Sequence, residues 1–131
     1  MLHTLLTTQA YWAGTYVDLW TIPHTLFGVL VAFVVPLTAS GLWVGFGLVT
    51  AGAIVWELVE RITGVGNVEP ITNSLTDIAV AMAGYLVAAL VLAYVRHPHF
   101  RRKAFFALLA LWLFCLAVGW TAYLHYGARL L

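Results

Sequence analysis

Charged residues are scarce in this chain, which is 63% hydrophobic and only 8% charged. Its formal net charge of +1 excludes the strongly basic surface that nucleic-acid-binding domains present. The single cysteine, Cys115, excludes an intramolecular disulfide. The first 20 residues carry no basic cluster ahead of an apolar stretch, so no cleavable secretory signal is predicted. These shortages leave an integral membrane protein as the expected class.

Long apolar runs are what the chain has in place of charge, and its mean hydropathy is +0.97. Because a membrane helix needs about 20 apolar residues, the 131 residues predict one integral membrane domain and no soluble domain. We expect an all-α bundle in which residues 1–20 form a helix in the outer interface. Its predicted membrane spans are 22–38, 42–63, 73–95 and 103–126. No internal repeat is visible, so an inverted-repeat transporter is not supported.

Basic residues indicate how these spans are oriented. Four of the six fall in one short loop between the third and fourth spans, namely Arg96, Arg101, Arg102 and Lys103. The positive-inside rule assigns such a loop to the cytoplasm. We therefore predict a plasma (inner) membrane protein with both termini extracytoplasmic. The basic loop is expected to rest on anionic lipid headgroups.

Acidic residues gather at the opposite, outer end, where four of the five fall between Glu57 and Asp77. Glu57 and Glu60 are three residues apart and share one helix side, as do Asn73 and Asp77, which are four apart. Carboxylates at a membrane boundary are costly, so they are candidates for a functional site. The predicted metal ligands are Glu57, Glu60, Asp77 and His24, supported by Asn73, Arg61 and His125.

Several of these residues can also be explained by an ordinary structural role instead of metal binding. The stretch from Ser74 to Asp77 fits a capping box, which would place Asp77 at a helix start. His24 and His125 suit ordinary interfacial anchors. Both lie at the outer edge, which disfavours paired haem ligation. A His-x-His pattern at His97 and His99 is typical of metal sites, but its basic neighbours would repel a dication.

The same residues carry a family resemblance. The motif Trp56-Glu57-x-x-Glu60, followed by Asn73-Ser74-x-x-Asp77 and Gly84, with His24 on the preceding helix, resembles the bacterial inner-membrane YjdF-type family. It is more distantly similar to VanZ-like proteins, which are linked with resistance to glycopeptide antibiotics. The resemblance covers residues 24–85. It implies a compact helical bundle with an acidic site and implies no reaction.

Two functions remain open from the sequence. The first is a site on the outer side that binds a divalent metal, or the headgroup of a lipid or lipid-linked envelope precursor. Oxygen ligands suit Mg²⁺, Mn²⁺ or Ca²⁺, whereas a histidine ligand favours Zn²⁺ or iron. The alternative is a non-enzymatic accessory subunit that pairs with another membrane protein. Proton or cation conduction is disfavoured because residues 53–55 below Glu57 are apolar.

Overall fold

The computed structural model describes residues 20–63, 70–95 and 97–126, with side chains to residue 121, and this part consists of α-helices and the short segments between them. Its helices are α1 (Thr21–Val34), α2 (Ala39–Thr63), α3 (Ile71–Tyr94) and α4 (Pro98–Tyr126). No strand occurs within these ranges, so the all-α prediction is confirmed for them. The predicted interfacial helix at residues 1–20 lies outside the described residues except for Trp20.

Three of the four helices, α2, α3 and α4, are long and apolar enough to cross a membrane. Helix α1 has 14 residues and is about 21 Å long. The hydrocarbon core of a bilayer is about 30 Å thick. The fold is therefore compatible with a multi-pass membrane protein, but the predicted count of four spans is not confirmed.

Proline explains why α1 is shorter than predicted. The helix ends at Val34, whereas the sequence predicts a span reaching residue 38. Val35 has φ −91° and ψ 139°, an extended conformation. A residue that precedes proline is pushed into this region by the pyrrolidine ring, and Pro36 follows directly.

Helix α4 begins at Pro98 rather than near residue 103. Proline is favoured in the first helical turn because its fixed φ suits a helix and its missing N–H is not needed there. Arg101, Arg102 and Lys103 consequently lie in the first turns of a helix instead of a loop. Arg96 lies outside the described residues.

Glycines bring α1 and α3 into close contact. A Cβ atom added at Gly28 would lie 1.9 Å from the backbone oxygen of Ala81, and one at Gly84 would lie 2.5 Å from that of Thr25. Small residues of this kind allow helix backbones to approach one another inside lipid. The short helix α1 is therefore held mainly by close backbone packing on α3.

Buried residues on α2 recur at helical spacing along a single stripe. The stripe consists of Gly41, Gly45, Val49, Ala53, Glu57 and Glu60. This three- to four-residue spacing keeps all members on one face of the helix. On α3, Gly84 and Ala88 are buried, whereas Ala79 and Ala83 are exposed.

The bundle core is apolar below the two glutamates. Val49 and Ala53 of α2 pack with Ala81 and Tyr85 of α3, and all four side chains are almost fully buried. The Tyr85 hydroxyl donates a 2.9 Å hydrogen bond to the carbonyl oxygen of Leu42. The described core next to Glu57 is therefore made of apolar side chains, with the Tyr85 hydroxyl bonded to the backbone.

Candidate functional site

Buried polar side chains are concentrated at one end of the bundle. They are contributed by three helices, α1, α2 and α3, and comprise His24, Glu57, Glu60, Asn73, Ser74 and Asp77. Each has a relative exposure of 6% or less. Charged groups are rarely buried to this degree unless they are paired or bind a metal.

His24 lies at the centre of the cluster. Its Nε2 atom is 3.6 Å from Oε1 of Glu57 and 4.0 Å from Oδ2 of Asp77. Ligand atoms of His24, Glu57 and Glu60 all lie within 4.8 Å of one another. The structure therefore brings together three of the four predicted ligands as a compact group, with Asp77 beside it.

The Nε2 atom of His24 is buried and makes no hydrogen bond with any described residue. The 3.6 Å separation from Glu57 is too long for a hydrogen bond. Buried polar side-chain atoms nearly always have a partner, and an ion or water accounts for many exceptions. The Nε2 atom of His24 thus faces carboxylate oxygens but makes no hydrogen bond to them.

Asp77 is oriented by two donors from its surroundings. The Thr21 hydroxyl donates to Oδ1 at 2.9 Å, and the Asn73 side-chain amide donates to Oδ2 at 3.3 Å. Helix α3 already begins at Ile71, with Pro70 as its N-cap. Asp77 therefore lies in the second turn, and the capping-box interpretation is wrong. Its carboxylate instead links α3 to the start of α1.

Glu60 has a donor on its own helix. The indole Nε1 of Trp56, one turn earlier, donates to Oε1 of Glu60 at 2.6 Å. Hydrogen bonds to ionised carboxylates are short and strong, and this one fixes the rotamer of the glutamate. Trp56 entered the sequence motif only as a flanking aromatic, although its four-residue spacing from Glu60 is the spacing at which helical side chains meet.

The three residues predicted to support the site, Asn73, Arg61 and His125, differ in what the structure shows of them. Arg61 is exposed and donates from Nη2 to the Ser74 hydroxyl at 2.8 Å, which ties the end of α2 to α3. Asn73 contacts Asp77 as its spacing predicts. The side chain of His125 lies outside the described residues. Thr21, which contacts the cluster through Asp77, is a residue that the sequence analysis did not single out.

Loss of the Thr21 hydroxyl is expected to lower the stability of the fold by removing a hydrogen bond between α1 and α3. In Thr21→Val the buried Asp77 carboxylate loses one donor, which costs about 1–3 kcal/mol of stability because that carboxylate is desolvated. Thermal unfolding in detergent measures the change. Thr121→Val is the matched control, since the exposed Thr121 hydroxyl bonds only to carbonyl oxygens of its own helix. Equal effects of the two substitutions would contradict a structural role for the contact with Asp77.

Comparison with protein-family models, with curated proteins and with solved structures finds no match to this chain. The resemblance to YjdF-type and VanZ-like proteins therefore stays a prediction from the motif. What the described residues themselves define is a small apolar helical bundle with a buried His/Glu/Glu group at one end.

Proposed function

We propose that this chain is a multi-pass membrane protein that binds a divalent cation through His24, Glu57 and Glu60. The observation that carries the proposal is the buried Nε2 atom of His24, which faces carboxylate oxygens without a hydrogen bond to any described residue. A metal ion between these groups would accept the imidazole lone pair and both carboxylates. Buried carboxylates and histidines in such an arrangement are typical of metal centres.

The distances suit a small cation. Two ligands bound to zinc at about 2.1 Å with a tetrahedral angle lie about 3.4 Å apart. Nε2 of His24 and Oε1 of Glu57 are 3.6 Å apart, close to that value. The group as a whole spans up to 4.8 Å, so a small movement of one carboxylate completes a three-ligand site. Such a site leaves a coordination position for water or another ligand.

Ligand chemistry favours a transition metal over Mg²⁺ or Ca²⁺. Magnesium and calcium prefer oxygen ligands exclusively, whereas imidazole suits zinc and iron. Zinc binds both imidazole nitrogen and carboxylate oxygen, so one imidazole with two carboxylates is a donor set that it accepts. Asp77, held by Thr21 and Asn73, would lie outside the first coordination shell and raise the local negative potential.

The proposed site faces the extracytoplasmic side. Helix α3 continues for 17 residues beyond Asp77, about 26 Å, to Tyr94, and α4 then begins with its basic residues. The basic and acidic groups are therefore at opposite ends of the bundle. The positive-inside rule assigns the basic end to the cytoplasm, which supports the orientation predicted from the sequence.

Trp56 is expected to act as a positioning residue for the metal. In Trp56→Phe the ring is kept, but Glu60 loses its 2.6 Å donor and its fixed rotamer. Loss of such an outer contact typically lowers metal affinity about 10- to 100-fold. Zinc titration of the purified protein measures this affinity. Trp43→Phe, at a side chain that is 75% exposed, should leave it unchanged. Unaltered affinity in Trp56→Phe would contradict the positioning role.

Metal content of the detergent-purified protein tests the proposal, with the parent measured beside His24→Gln. We expect about one zinc ion per chain in the parent after zinc loading and removal of excess metal, and a large loss in the variant. No bound metal in either protein would overturn the proposal. It would favour the alternative, a hydrogen-bonded polar cluster in an accessory membrane subunit, and stoichiometric protein partners would then be sought in native membranes.

A further inference from the structure

A cavity of about 200 Å³ lies directly beside the metal-binding group. Its walls come from α1, α2 and α4, and they are apolar or aromatic except for His24. Engineered apolar cavities of about 150 Å³ stay dry and bind a benzene-sized guest. This cavity is therefore large enough for a segment of a hydrocarbon chain.

Two residues connect the cavity with the polar cluster. His24 lines the cavity and faces Glu57, and the ring of Trp56 lines the cavity while its N–H bonds to Glu60. Gly52, on the same wall, lies about 7.5 Å from Glu57 along α2 toward the middle of the helix. The cavity is thus almost wholly apolar, and its His24 and Trp56 walls lie beside the buried polar cluster, so a lipid chain inside it would have the cluster at one end.

The wall that α4 contributes is fixed in place. The indole Nε1 of Trp112 donates a 3.1 Å hydrogen bond to the carbonyl oxygen of Pro23, so α4 is held against the start of α1. Leu116, one turn further along α4, forms the next part of the wall. Only part of its side chain is exposed, whereas Leu113 on the same helix is 53% exposed and does not line the cavity.

We propose that this cavity holds one acyl chain of a bilayer phospholipid, whose anionic headgroup lies beside the metal-binding group. The inference rests on the proposed cation site for its headgroup, and on the cavity for its chain. Three observations favour a phospholipid as the occupant. The helices are compatible with membrane spans, the cavity is apolar apart from His24, and an anionic phosphate complements a dication bound beside that histidine.

Filling the cavity tests the acyl-chain site. Native mass spectrometry of the zinc-loaded protein with added phosphatidylglycerol counts bound lipids. We expect one tightly bound phospholipid in the parent and in Leu113→Trp, and at least tenfold weaker binding in Leu116→Trp, whose larger ring occupies the cavity. Leu116→Ala enlarges the same space and should keep the lipid.

The outcomes separate the two proposals. Lipid binding in Leu116→Trp equal to that in the parent overturns the acyl-chain site. An equal loss of lipid binding in Leu113→Trp also overturns it, because it would indicate lipids bound around the whole bundle. An equal loss of lipid binding in Leu116→Ala overturns it too, because it would indicate a general disturbance of α4. Zinc is measured in each sample, and its absence from the parent overturns the cation site while the lipid comparison still judges the cavity.

Discussion

Replacing Glu57 with glutamine is expected to lower zinc affinity by more than about 100-fold, since changes that only touch a metal ligand from outside already cost about 10- to 100-fold. The carboxylate oxygen of Glu57 lies 3.6 Å from Nε2 of His24, at the centre of the proposed site. Glutamine keeps the size of the side chain but is a much poorer zinc ligand. Competition against a chromophoric zinc chelator in detergent measures the affinity.

Asp77→Asn provides the comparison within the same cluster. Asp77 is equally buried, but its oxygens are not part of the three-residue group and are held by Thr21 and Asn73. We expect a smaller loss, about tenfold, because only an outer negative charge is removed. An effect of Asp77→Asn larger than that of Glu57→Gln, or a Glu57→Gln variant that binds zinc as the parent does, would contradict the assigned ligands.

Replacing Gly28 with alanine is expected to destabilise the fold by about 3 kcal/mol or more. The added methyl group would lie 1.9 Å from the backbone oxygen of Ala81, so α1 and α3 must separate. Alanine favours a helix over glycine by about 1 kcal/mol, which is too little to offset this overlap. The metal site should be lost with it, because His24 reaches the glutamates only when α1 is docked on α3.

Gly47→Ala is the matched control, since a Cβ atom there meets nothing within 4 Å. This substitution adds only helix propensity and should leave stability unchanged or raise it by up to about 1 kcal/mol. Thermal unfolding in detergent, followed by zinc titration, compares the two variants. Equal stability of Gly28→Ala and Gly47→Ala would show that the close packing of α1 on α3 is not required.

The sequence alone predicts that Glu57 and Glu60 share one side of α2, and both are buried there. Small residues at four-residue spacing precede them on α2, with Gly41, Gly45 and Ala53 in the same stripe, and side chains on one stripe face the same neighbour. The stripe extends through both glutamates, so their burial follows from the periodicity. The lengths of the apolar runs likewise predict the bounds of α2 and α3 to within three residues, whereas α4 begins five residues before its predicted start.

Other features depend on contacts between helices that no local pattern encodes. The position of His24 in the sequence predicts its depth along the bundle. It does not predict which way α1 is rotated about its axis, because that rotation is set by the packing of Gly28 on Ala81. The capping-box interpretation of Asp77 was wrong because α3 starts after Pro70, earlier than its polar residues suggest. The cavity is formed by α1, α2 and α4, and the hydrogen bond from Trp112 to Pro23 spans 89 positions in the chain.

X-ray absorption at the zinc edge of the loaded protein tests the cation site most directly. We expect one imidazole nitrogen and two carboxylate oxygens at about 2.0–2.2 Å, with room for one further oxygen ligand. Any zinc that His24→Gln retains should show no imidazole signal. Coordination by oxygen alone, or a histidine signal that survives His24→Gln and is lost in a variant lacking His97 and His99, would contradict the proposed site.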